Sequence, residues 1–425
     1  MFHIVKDNTV GKSKLGLSIF EQWKVNPLMA RYLCLCDGKT THGEIISKLR
    51  IPFSLLADNG AKGLVGIKVI EFKDSEEECS DRLFLTGNFE SYNPLHTSIE
   101  ITDYCNFRCK HCYVSASPEK LEKRSYKAMI ELMNKLWDNG VKVLEITGGE
   151  CTTHPNFKEV LKFAADKFNL VAVISNGYII GNDEELAKYI ASFDNMAVQI
   201  SIDGIKEYHD EFRNMKGSFD RAVNAVKYLK KYGAIVRVAS TVTYDNVDDI
   251  EEVFKLCKAI NVDSFATSTV SSFGRASCKG CNKGESTLKE ILVGKLEKYK
   301  DDKLFLANYK TIEAVIANKE LNCGAGWRTF AINGASGNVR VCLFLNDEGI
   351  VGNIDTDNYL DIFSKKKLDN FRFAIAPSVN LDTCKNCEKK EVCNGCMARA
   401  INIYRTEKPE CEWVKKYKIN ESIKI

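Results

Sequence analysis

The chain has 425 residues, 44% of them hydrophobic, which is enough for two or three domains with a sizeable core. Its 60 basic and 57 acidic side chains are interspersed and leave a net charge of only +3, which argues against a dedicated nucleic-acid-binding protein. The N-terminal MFHIVKDNTV has no apolar core of signal-peptide length, and no segment approaches the roughly 20 apolar residues of a membrane span. We therefore expect a cytoplasmic protein that needs neither a membrane nor a nucleic acid.

The cysteines are the most informative part of the composition. There are 17, an odd number, and most lie in close-spaced groups. Because cytosolic thiols stay reduced, such groups bind metal more often than they form disulfides. Four others fit isolated buried thiols instead: Cys34, Cys36, Cys79 and Cys257.

Residues 1–90 are predicted to form an α+β unit of winged-helix shape. An extended start is followed by an apolar run over 27–36, helices over 42–49 and around 53–64, and a strand over 66–71. Asp37-Gly38-Lys39 predicts a turn between the apolar run and the first of these helices. The acidic stretch 74–81 is typical of a linker to the next domain.

Residues 91–310 are predicted to form an α/β core, because strands and helices alternate regularly. The predicted strands are Ser98–Thr102, Val143–Thr147, Leu170–Ser175, Ala197–Ile202, Ile235–Val242 and Ser264–Thr269. The predicted helices lie near 126–138, 156–168, 183–192, 218–231 and 247–259. Six units are too few for an eight-stranded barrel, so we expect a partial (β/α)6 barrel with its ligands at the carboxyl ends of the strands.

The first cysteine group directly follows the first predicted core strand. Cys105, Cys109 and Cys112 have the spacing C-x3-C-x2-C. Three thiolates on one loop can hold three corners of a four-iron cluster and leave one iron open, as a catalytic metal requires. The alternative is a zinc site completed by His111, but His111 is adjacent to Cys112, which makes joint ligation awkward.

This motif, followed by the aromatic Tyr113, resembles the signature of radical S-adenosylmethionine (SAM) enzymes. The resemblance implies that the open iron binds the amino and carboxylate groups of SAM and that Tyr113 packs near the adenine. Further matches follow strand ends in the family's order, over residues 97–276, and imply cofactor contacts by Gly148, Gly149, Glu150, Ser175, Asn176, Ser201, Asp203 and Arg213. By the same resemblance, the Gly-Gly-Glu segment binds the amino group, and Ser201 and Arg213 contact the ribose and carboxylate.

Residues 311–425 resemble a SPASM domain, which houses auxiliary four-iron clusters. The resemblance implies an outer cluster held by Cys384, Cys387, Cys393 and Cys411, and an inner cluster held by Cys323, Cys342 and Cys396. The fourth inner ligand is Cys278, Cys281 or a substrate thiolate. Only Asn394 and Gly395 separate Cys393 from Cys396, where the family usually has three residues, which puts the pairing there in doubt. Structural zinc sites are the alternative.

Taken together, the chain resembles ribosomal-peptide maturases of the sactipeptide and ranthipeptide type. The N-terminal unit resembles their leader-peptide recognition domain, which captures a leader on a strand edge; alternatively, it only packs on the core. The resemblance implies a radical SAM oxidoreductase that takes one electron from flavodoxin or ferredoxin and cleaves SAM to a 5′-deoxyadenosyl radical. That radical removes hydrogen from a Cys-rich precursor peptide, and thioether crosslinks follow.

Three other functions stay open from the sequence. Carbon–carbon crosslinking is not excluded, whereas formylglycine formation is disfavoured because Leu343, not an acidic residue, follows Cys342. An iron–sulfur regulator that binds DNA would explain the N-terminal shape but not the motifs at the strand ends. The sequence identifies no acid or base residue, no substrate and no oligomeric state.

Overall fold

A computed structural model describes residues 2–6, 21–25, 27–49, 60–65, 70, 72, 74–75, 83–86, 90–271, 273–276, 285–316, 322–393, 395–407 and 409–423. Its strands are β1 Phe2–Lys6, β2 Glu21–Val25, β3 Leu83–Thr86, β4 His96–Glu100, β5 Val143–Thr147, β6 Leu170–Ser175, β7 Met196–Ser201, β8 Ile235–Val242, β9 Ser264–Thr269, β10 Thr329–Asn333, β11 Asn338–Arg340 and β12 Ile350–Asn353.

The helices, numbered in the same way, lie between and beyond these strands. They are α1 Pro27–Leu33, α2 His42–Leu49, α3 60–65, α4 Tyr126–Asp138, α5 Phe157–Lys167, α6 Glu184–Ala191, α7 Lys206–Phe212, α8 Ser218–Lys231, α9 Ile250–Ala259, α10 Glu285–Leu296, α11 Leu306–Ile316, α12 Tyr359–Ile362, α13 Lys365–Phe373, α14 Lys390–Cys393, α15 Met397–Thr406 and α16 Glu412–Lys416. No helix in these described ranges is both long and apolar enough to cross a bilayer.

The core sheet contains the six predicted strands, β4 to β9, side by side in chain order and all parallel. Four have the predicted bounds, whereas β4 and β7 begin slightly earlier than predicted. Each connection carries a helix, which parallel strands require because the chain must return to the same end of the sheet. The α/β core is therefore confirmed, and the carboxyl ends of its strands share one edge.

The helices of the core form because each has one apolar face to bury. In α4, Met129, Leu132, Met133 and Leu136 recur at helical spacing and are all buried. The Oγ of Ser125 accepts a hydrogen bond from the backbone N–H of Ala128 (3.3 Å) and so caps the first turn. These helices cover one face of the sheet, while the other face carries half-exposed side chains.

The C-terminal segment extends the core sheet, which the sequence did not predict. β10 pairs in parallel with β4, from Thr329 opposite His96 to Asn333 opposite Glu100. β11 and β12 then continue antiparallel, so that nine strands of the described chain form one sheet. Phe330 and Ile332 of β10 are buried in the same core as the helices. The predicted boundary at residue 311 therefore does not separate two independent cores.

The described part of the N-terminal segment has its own sheet, with strand order β2-β1-β3, and its own small apolar core. The predicted turn is present: the Asp37 carboxylate accepts from the backbone of Lys39 (2.9 Å) and Thr40 (2.6 Å). The predicted strand over 66–71 lies almost wholly outside the described residues. The third strand is instead β3, beyond the stretch predicted as a linker, and it pairs antiparallel with β1.

The buried guanidinium of Arg124 joins the radical-core part of the sheet to the C-terminal part. It donates to the backbone oxygens of Ala128 (3.0 Å) and Gly334 (2.8 Å), and it forms an ion pair with Asp355. Gly334 follows β10 and Asp355 follows β12, so one side chain holds both ends of the added strands. Removing it leaves buried acceptors without a donor.

We expect Arg124→Gln to lower the free energy of unfolding by about 1–3 kcal/mol, because the Gln amide cannot reach all of these acceptors. The measurement is urea unfolding followed by tryptophan fluorescence. Lys162→Gln is the matched control, since it breaks an exposed helical pair with Asp166 and should have little effect. Equal loss in both variants would contradict a special role for Arg124.

Candidate functional site

The loop with Cys105, Cys109 and Cys112 folds against the carboxyl end of β4, at the predicted edge. The backbone N–H of Glu150, after β5, donates to the oxygen of Tyr104 (2.9 Å), and that of Gly149 donates to Thr102 (2.7 Å). A Cβ on Gly149 would lie 2.1 Å from the Tyr104 oxygen, so no other residue permits this approach. The Gly-Gly-Glu segment thus binds the loop through its backbone.

A second segment, 273–276, holds the other side of the cysteine loop. Arg275 donates from its side chain to the backbone oxygens of Cys109 (2.7 Å) and Ala116 (2.7 Å). Its backbone N–H donates to the oxygen of Cys112 (3.0 Å). Gly274 has a φ of +55°, and a Cβ there would lie 2.2 Å from the Cys112 oxygen. Gly274 and Arg275, at the end of the segment that resembles radical SAM enzymes, therefore help to hold the cysteine loop in place.

The three cysteines are close together and none is in a disulfide. Cys105 and Cys109 are buried, and Cys112 is half-buried. Burial raises the pKa of the Cys109 thiol to about 11, although the nearby Arg213 and Arg275 oppose that rise. His111 does not join the thiols: its ring stacks on Phe212 at 4.2 Å between centroids. The alternative of a zinc site completed by His111 has no support in this geometry.

Glu150 is a fully buried carboxylate with several hydrogen-bond donors around it. Its Oε1 accepts from the hydroxyls of Thr152 (2.6 Å) and Ser175 (2.8 Å), and its Oε2 accepts from the backbone N–H of Asn176 (2.7 Å). The side-chain amide of Asn176 in turn donates to Asn106 of the cysteine loop (2.9 Å). The structure therefore places Ser175 and Asn176 as supports of Glu150 and of the loop.

Asp203 and Arg213 form a buried ion pair behind the loop. The Nε of Arg213 donates to Oδ2 of Asp203 (2.7 Å), and Oδ1 accepts from the backbone of Thr241 (2.8 Å). Burial raises the pKa of Asp203, but the charge of Arg213, together with the neighbouring histidines and the Thr241 backbone, lowers it by more, so the net shift of the pKa is downward. The Nε of Arg213 is thus occupied by a hydrogen bond within the protein, and the charge of Arg213 lies near Cys109. Ser201 lies half-exposed at the end of β7.

Tyr113 links the cysteine loop to the C-terminal part of the sheet. Its hydroxyl lies 3.4 Å from Oε1 of Glu100, which the sequence analysis did not identify, and its ring contacts Phe344 edge-on at 5.6 Å. Glu100 forms a buried ion pair with Arg340 (2.6 Å). No sequence motif distinguishes Glu100, because it is a single polar residue in a strand. Only the alternation of side chains along β4 places it on the face opposite Ile99.

The C-terminal cysteines have one another as neighbours, and Cys396 is a neighbour of both Cys342 and Cys393. The division into an outer and an inner cluster stays a prediction of the resemblance. Burial, and then the neighbouring thiols of Cys396 and Cys323, raise the pKa of Cys342 to about 12. Burial, and then the neighbouring thiols of Cys411, Cys387, Cys396 and Cys384, raise the pKa of Cys393. Cys278 and Cys281 lie outside the described residues. The shortened spacing before Cys396 therefore does not prevent it from lying near Cys342.

The chemistry of these donor sets fits iron–sulfur clusters. Each group consists of thiols that are free of disulfides, and soft thiolates favour such clusters. Within the ranges that the structure describes, no three Cys, His, Asp or Glu side chains converge as the ligands of one metal ion do. The buried thiols must lose their protons when metal binds. The ligand sets are therefore proposals that rest on the family resemblance and on the chemistry of these thiols.

Comparison with known proteins gives two domain matches. Residues 99–257 match the radical SAM superfamily, and residues 323–397 match the iron–sulfur cluster-binding SPASM domain. The first covers β4 to α9 with the first cysteine loop. The second contains six of the seven C-terminal cysteines, and Cys411 lies beyond it. The six are Cys323, Cys342, Cys384, Cys387, Cys393 and Cys396.

Individual relatives agree with these domains. The antilisterial bacteriocin subtilosin biosynthesis protein AlbA of Bacillus subtilis is 31% identical over 347 residues, 80% of this chain and 75% of that protein. The sporulation killing factor maturation protein SkfB of the same organism is 34% identical over 194 residues, 46% of this chain and 47% of that one. The crystal structure of Streptococcus suis SuiB, bound to its precursor peptide SuiA, has the same fold, with a TM-score of 0.66 at 16% identity over 92% of this chain and 93% of that chain.

The two domains also specify the cofactors. A radical SAM domain binds a [4Fe–4S] cluster and SAM, and a SPASM domain binds auxiliary iron–sulfur clusters. The three-cysteine loop at the carboxyl edge of the parallel sheet lies within the first match, and six of the seven C-terminal cysteines lie within the second. The chain belongs to the radical SAM superfamily, and it is an enzyme of the branch that carries a SPASM domain.

Proposed function

We propose that this enzyme forms thioether crosslinks in a ribosomally made, Cys-rich precursor peptide. The observation that carries the proposal is the pairing of an open three-thiol loop with a second three-thiol group, Cys323, Cys342 and Cys396. Three thiols leave one corner of a four-iron cluster without a described protein ligand, where a substrate thiolate can bind. AlbA and SkfB, whose names describe bacteriocin biosynthesis and killing-factor maturation, support a peptide substrate.

The residues around the first loop have distinct proposed tasks toward SAM. Bound SAM supplies the 5′-deoxyadenosyl radical, and the protein positions it and excludes water. The segment Gly148, Gly149 and Glu150 is proposed to bind the amino group, and its glycines let the backbone approach closely. Tyr113 packs near the adenine. Ser201 and Arg213 lie toward the ribose and carboxylate, with Asp203, Ser175 and Asn176 holding their neighbours in place.

The N-terminal unit is proposed to bind the leader of the peptide. Its described sheet has β2 and β3 at the edges, and an edge strand offers unpaired backbone groups to an extended peptide. Main-chain pairing suits a leader because it depends little on side-chain identity.

The enzyme is further proposed to act in the cytoplasm and to receive its electron from a partner such as flavodoxin or ferredoxin.

Changing Cys105, Cys109 or Cys112 to Ala should abolish release of 5′-deoxyadenosine, because the cluster that cleaves SAM loses a ligand. The assay is anaerobic incubation with dithionite and SAM, followed by chromatography. Cys257→Ala is the matched control, since this buried thiol on α9 lies outside all three groups, and it should keep the release near the wild-type level. Release from a loop variant at the wild-type rate would contradict the assignment.

Changing Cys387 or Cys396 to Ala should separate the two half-reactions. SAM cleavage should continue at a reduced rate, since the first loop is intact, whereas crosslinked peptide should disappear. The ratio of 5′-deoxyadenosine to crosslinked peptide measures this uncoupling. A variant that lacks auxiliary iron but forms product normally would show that the C-terminal thiols do not serve the peptide chemistry.

A short Cys-rich peptide encoded beside the gene is the expected substrate. Each crosslink should remove two hydrogen atoms from the peptide mass and one thiol from the count of alkylatable cysteines. Loss of two hydrogens with every thiol retained would instead identify a carbon–carbon crosslink. Mass spectrometry before and after alkylation distinguishes these results, and an unchanged mass during SAM cleavage would reject the peptide.

A further inference from the structure

One face of the core sheet is open to solvent in the middle of its strands. Along β6, β7 and β8, buried side chains beneath the helices alternate with partly exposed side chains on the opposite face. We call that opposite face, in the middle of β5 to β8, the open face; it carries Glu145, Ala172, Ala197, Gln199 and Arg237. Ala172 and Ala197 have short side chains and belong to central strands, yet both are partly exposed. Solvent therefore reaches the middle of this face.

The open face lies next to the proposed cofactor site. In the register of β7 and β8, Arg237 is opposite Gln199, and Gln199 precedes Ser201 by two residues. Residues two apart in a strand share a face and are separated by about 6–7 Å. Because Ser201 is proposed to lie toward the ribose of SAM, the backbone at Arg237 is one such step farther from the carboxyl edge. A group bound by Arg237 would therefore lie close to the cofactor.

Other charged side chains on this side of the sheet have partners within the protein. Glu100 forms its buried ion pair with Arg340 (2.6 Å). Oε1 of Glu145 accepts from the hydroxyl of Ser98 (2.7 Å), and its Oε2 lies 4.0 Å from Nε2 of His96. Both carboxylates are thus in contact with donors that the chain itself supplies.

Arg237 differs, because part of its guanidinium has no partner of this kind. Its Nε is buried and has no hydrogen-bond partner among the described residues. Glu145 is on the same face, but its described contacts are with Ser98 and His96. Burial accordingly lowers the pKa of Arg237, and the charge of Glu145 opposes that shift. The guanidinium nevertheless stays charged, since arginine does not lose its proton in proteins.

A buried charge without a partner costs free energy, so stability is a poor reason to keep Arg237. A ligand with a carboxylate would remove that cost, because the planar guanidinium can donate to both carboxylate oxygens. A neutral amide would accept a hydrogen bond but leave the charge uncompensated, and an apolar group would do neither. Charge complementarity therefore favours an anionic group of the substrate.

We propose that the open face binds the precursor peptide and that Arg237 is a specificity-determining residue, which recognises a carboxylate of that peptide. The carboxylate belongs to an acidic side chain or to the C-terminus. The inference rests on the proposed peptide substrate, but it does not depend on which bond the enzyme forms. It assigns to Arg237 a binding partner that the protein itself does not supply.

The test measures binding to the full-length enzyme, anaerobically reconstituted and saturated with SAM, by isothermal titration calorimetry without a reductant. The probes are acetyl-Gly-Cys-Gly-Glu-Gly-amide, its Gln counterpart, and the Gln counterpart with a free C-terminal carboxylate. The wild type should bind at least one carboxylate peptide about tenfold more tightly than the neutral one. The preferred peptide shows whether the side chain or the C-terminus supplies the group. Equal affinity for all three, or no binding of either carboxylate peptide, would overturn the proposal.

Arg237→Met should abolish this preference, because it removes the cation from the open face. Arg237→Lys keeps the charge without the two-oxygen fork and should retain part of the preference. Glu145→Gln is the matched control on the same face, and Arg221→Gln, which changes an exposed arginine of α8, is the control for net charge. Both controls should keep the wild-type preference. A preference that persists in Arg237→Met, or that Glu145→Gln loses equally, would contradict the assignment.

Urea unfolding separates recognition from a structural role. Arg237→Met should leave the midpoint unchanged or raise it, because the variant no longer buries a charge that lacks a partner. Arg124→Gln, which removes an arginine with several partners in the protein, should lower the midpoint. A fall in Arg237→Met as large as that in Arg124→Gln, or a failure of Arg237→Met to fold, would overturn the proposal.

The outcomes also stand apart from those of the thioether proposal, since no SAM is cleaved during the binding measurement. An enzyme that prefers carboxylate peptides through Arg237 but forms no thioether would refute only the thioether chemistry. An enzyme that forms thioethers without any preference for a carboxylate would refute only the role of Arg237.

Discussion

Main-chain contacts from three distant segments give the cysteine loop its shape, and the proposed chemistry depends on that shape. The backbone after β5 binds one side of the loop through Tyr104, and Arg275 binds the other through the oxygens of Cys109 and Ala116. The N–H of Lys110 also donates to the oxygen of Phe212, at the end of α7 (2.9 Å). These contacts restrain the backbone that carries the three thiols, which reduces the conformational entropy that cluster binding must overcome.

The same edge of the sheet brings the auxiliary thiols into the site. Because β10 pairs in parallel with β4, the segment that follows β10 begins beside the first loop. Tyr113 then contacts Phe344, and Phe344 stacks on Phe273, next to the glycine that holds the loop. The radical SAM and SPASM parts therefore share a continuous core. Within this core, Arg340 of β11 pairs directly with Glu100 of β4.

Local pattern was sufficient for much of the fold and for a proposal of the cluster ligands. The strands β5, β6, β8 and β9 follow from the regular alternation of strand-like and helical segments, and the cysteine loop is recognised from its C-x3-C-x2-C spacing. Other elements were missed for physical reasons. The short β3 and β10 have little periodicity of their own and are strands because of their neighbours, β1 and β4. The seven-residue α7 is largely charged and has no apolar repeat long enough to predict it.

The sequence by itself determined the family of this protein: which cysteines are closely spaced, which family they resemble, and at which edge of a parallel sheet the first three lie. Those features are local, since spacing along a loop limits which ligands can meet at one site. Only the tertiary structure decided how the groups relate. It showed Ser175 and Asn176 supporting Glu150, and it joined Glu100 to Arg340 across 240 residues. Such pairs depend on strand register, and no spacing in the chain encodes which distant strands become neighbours.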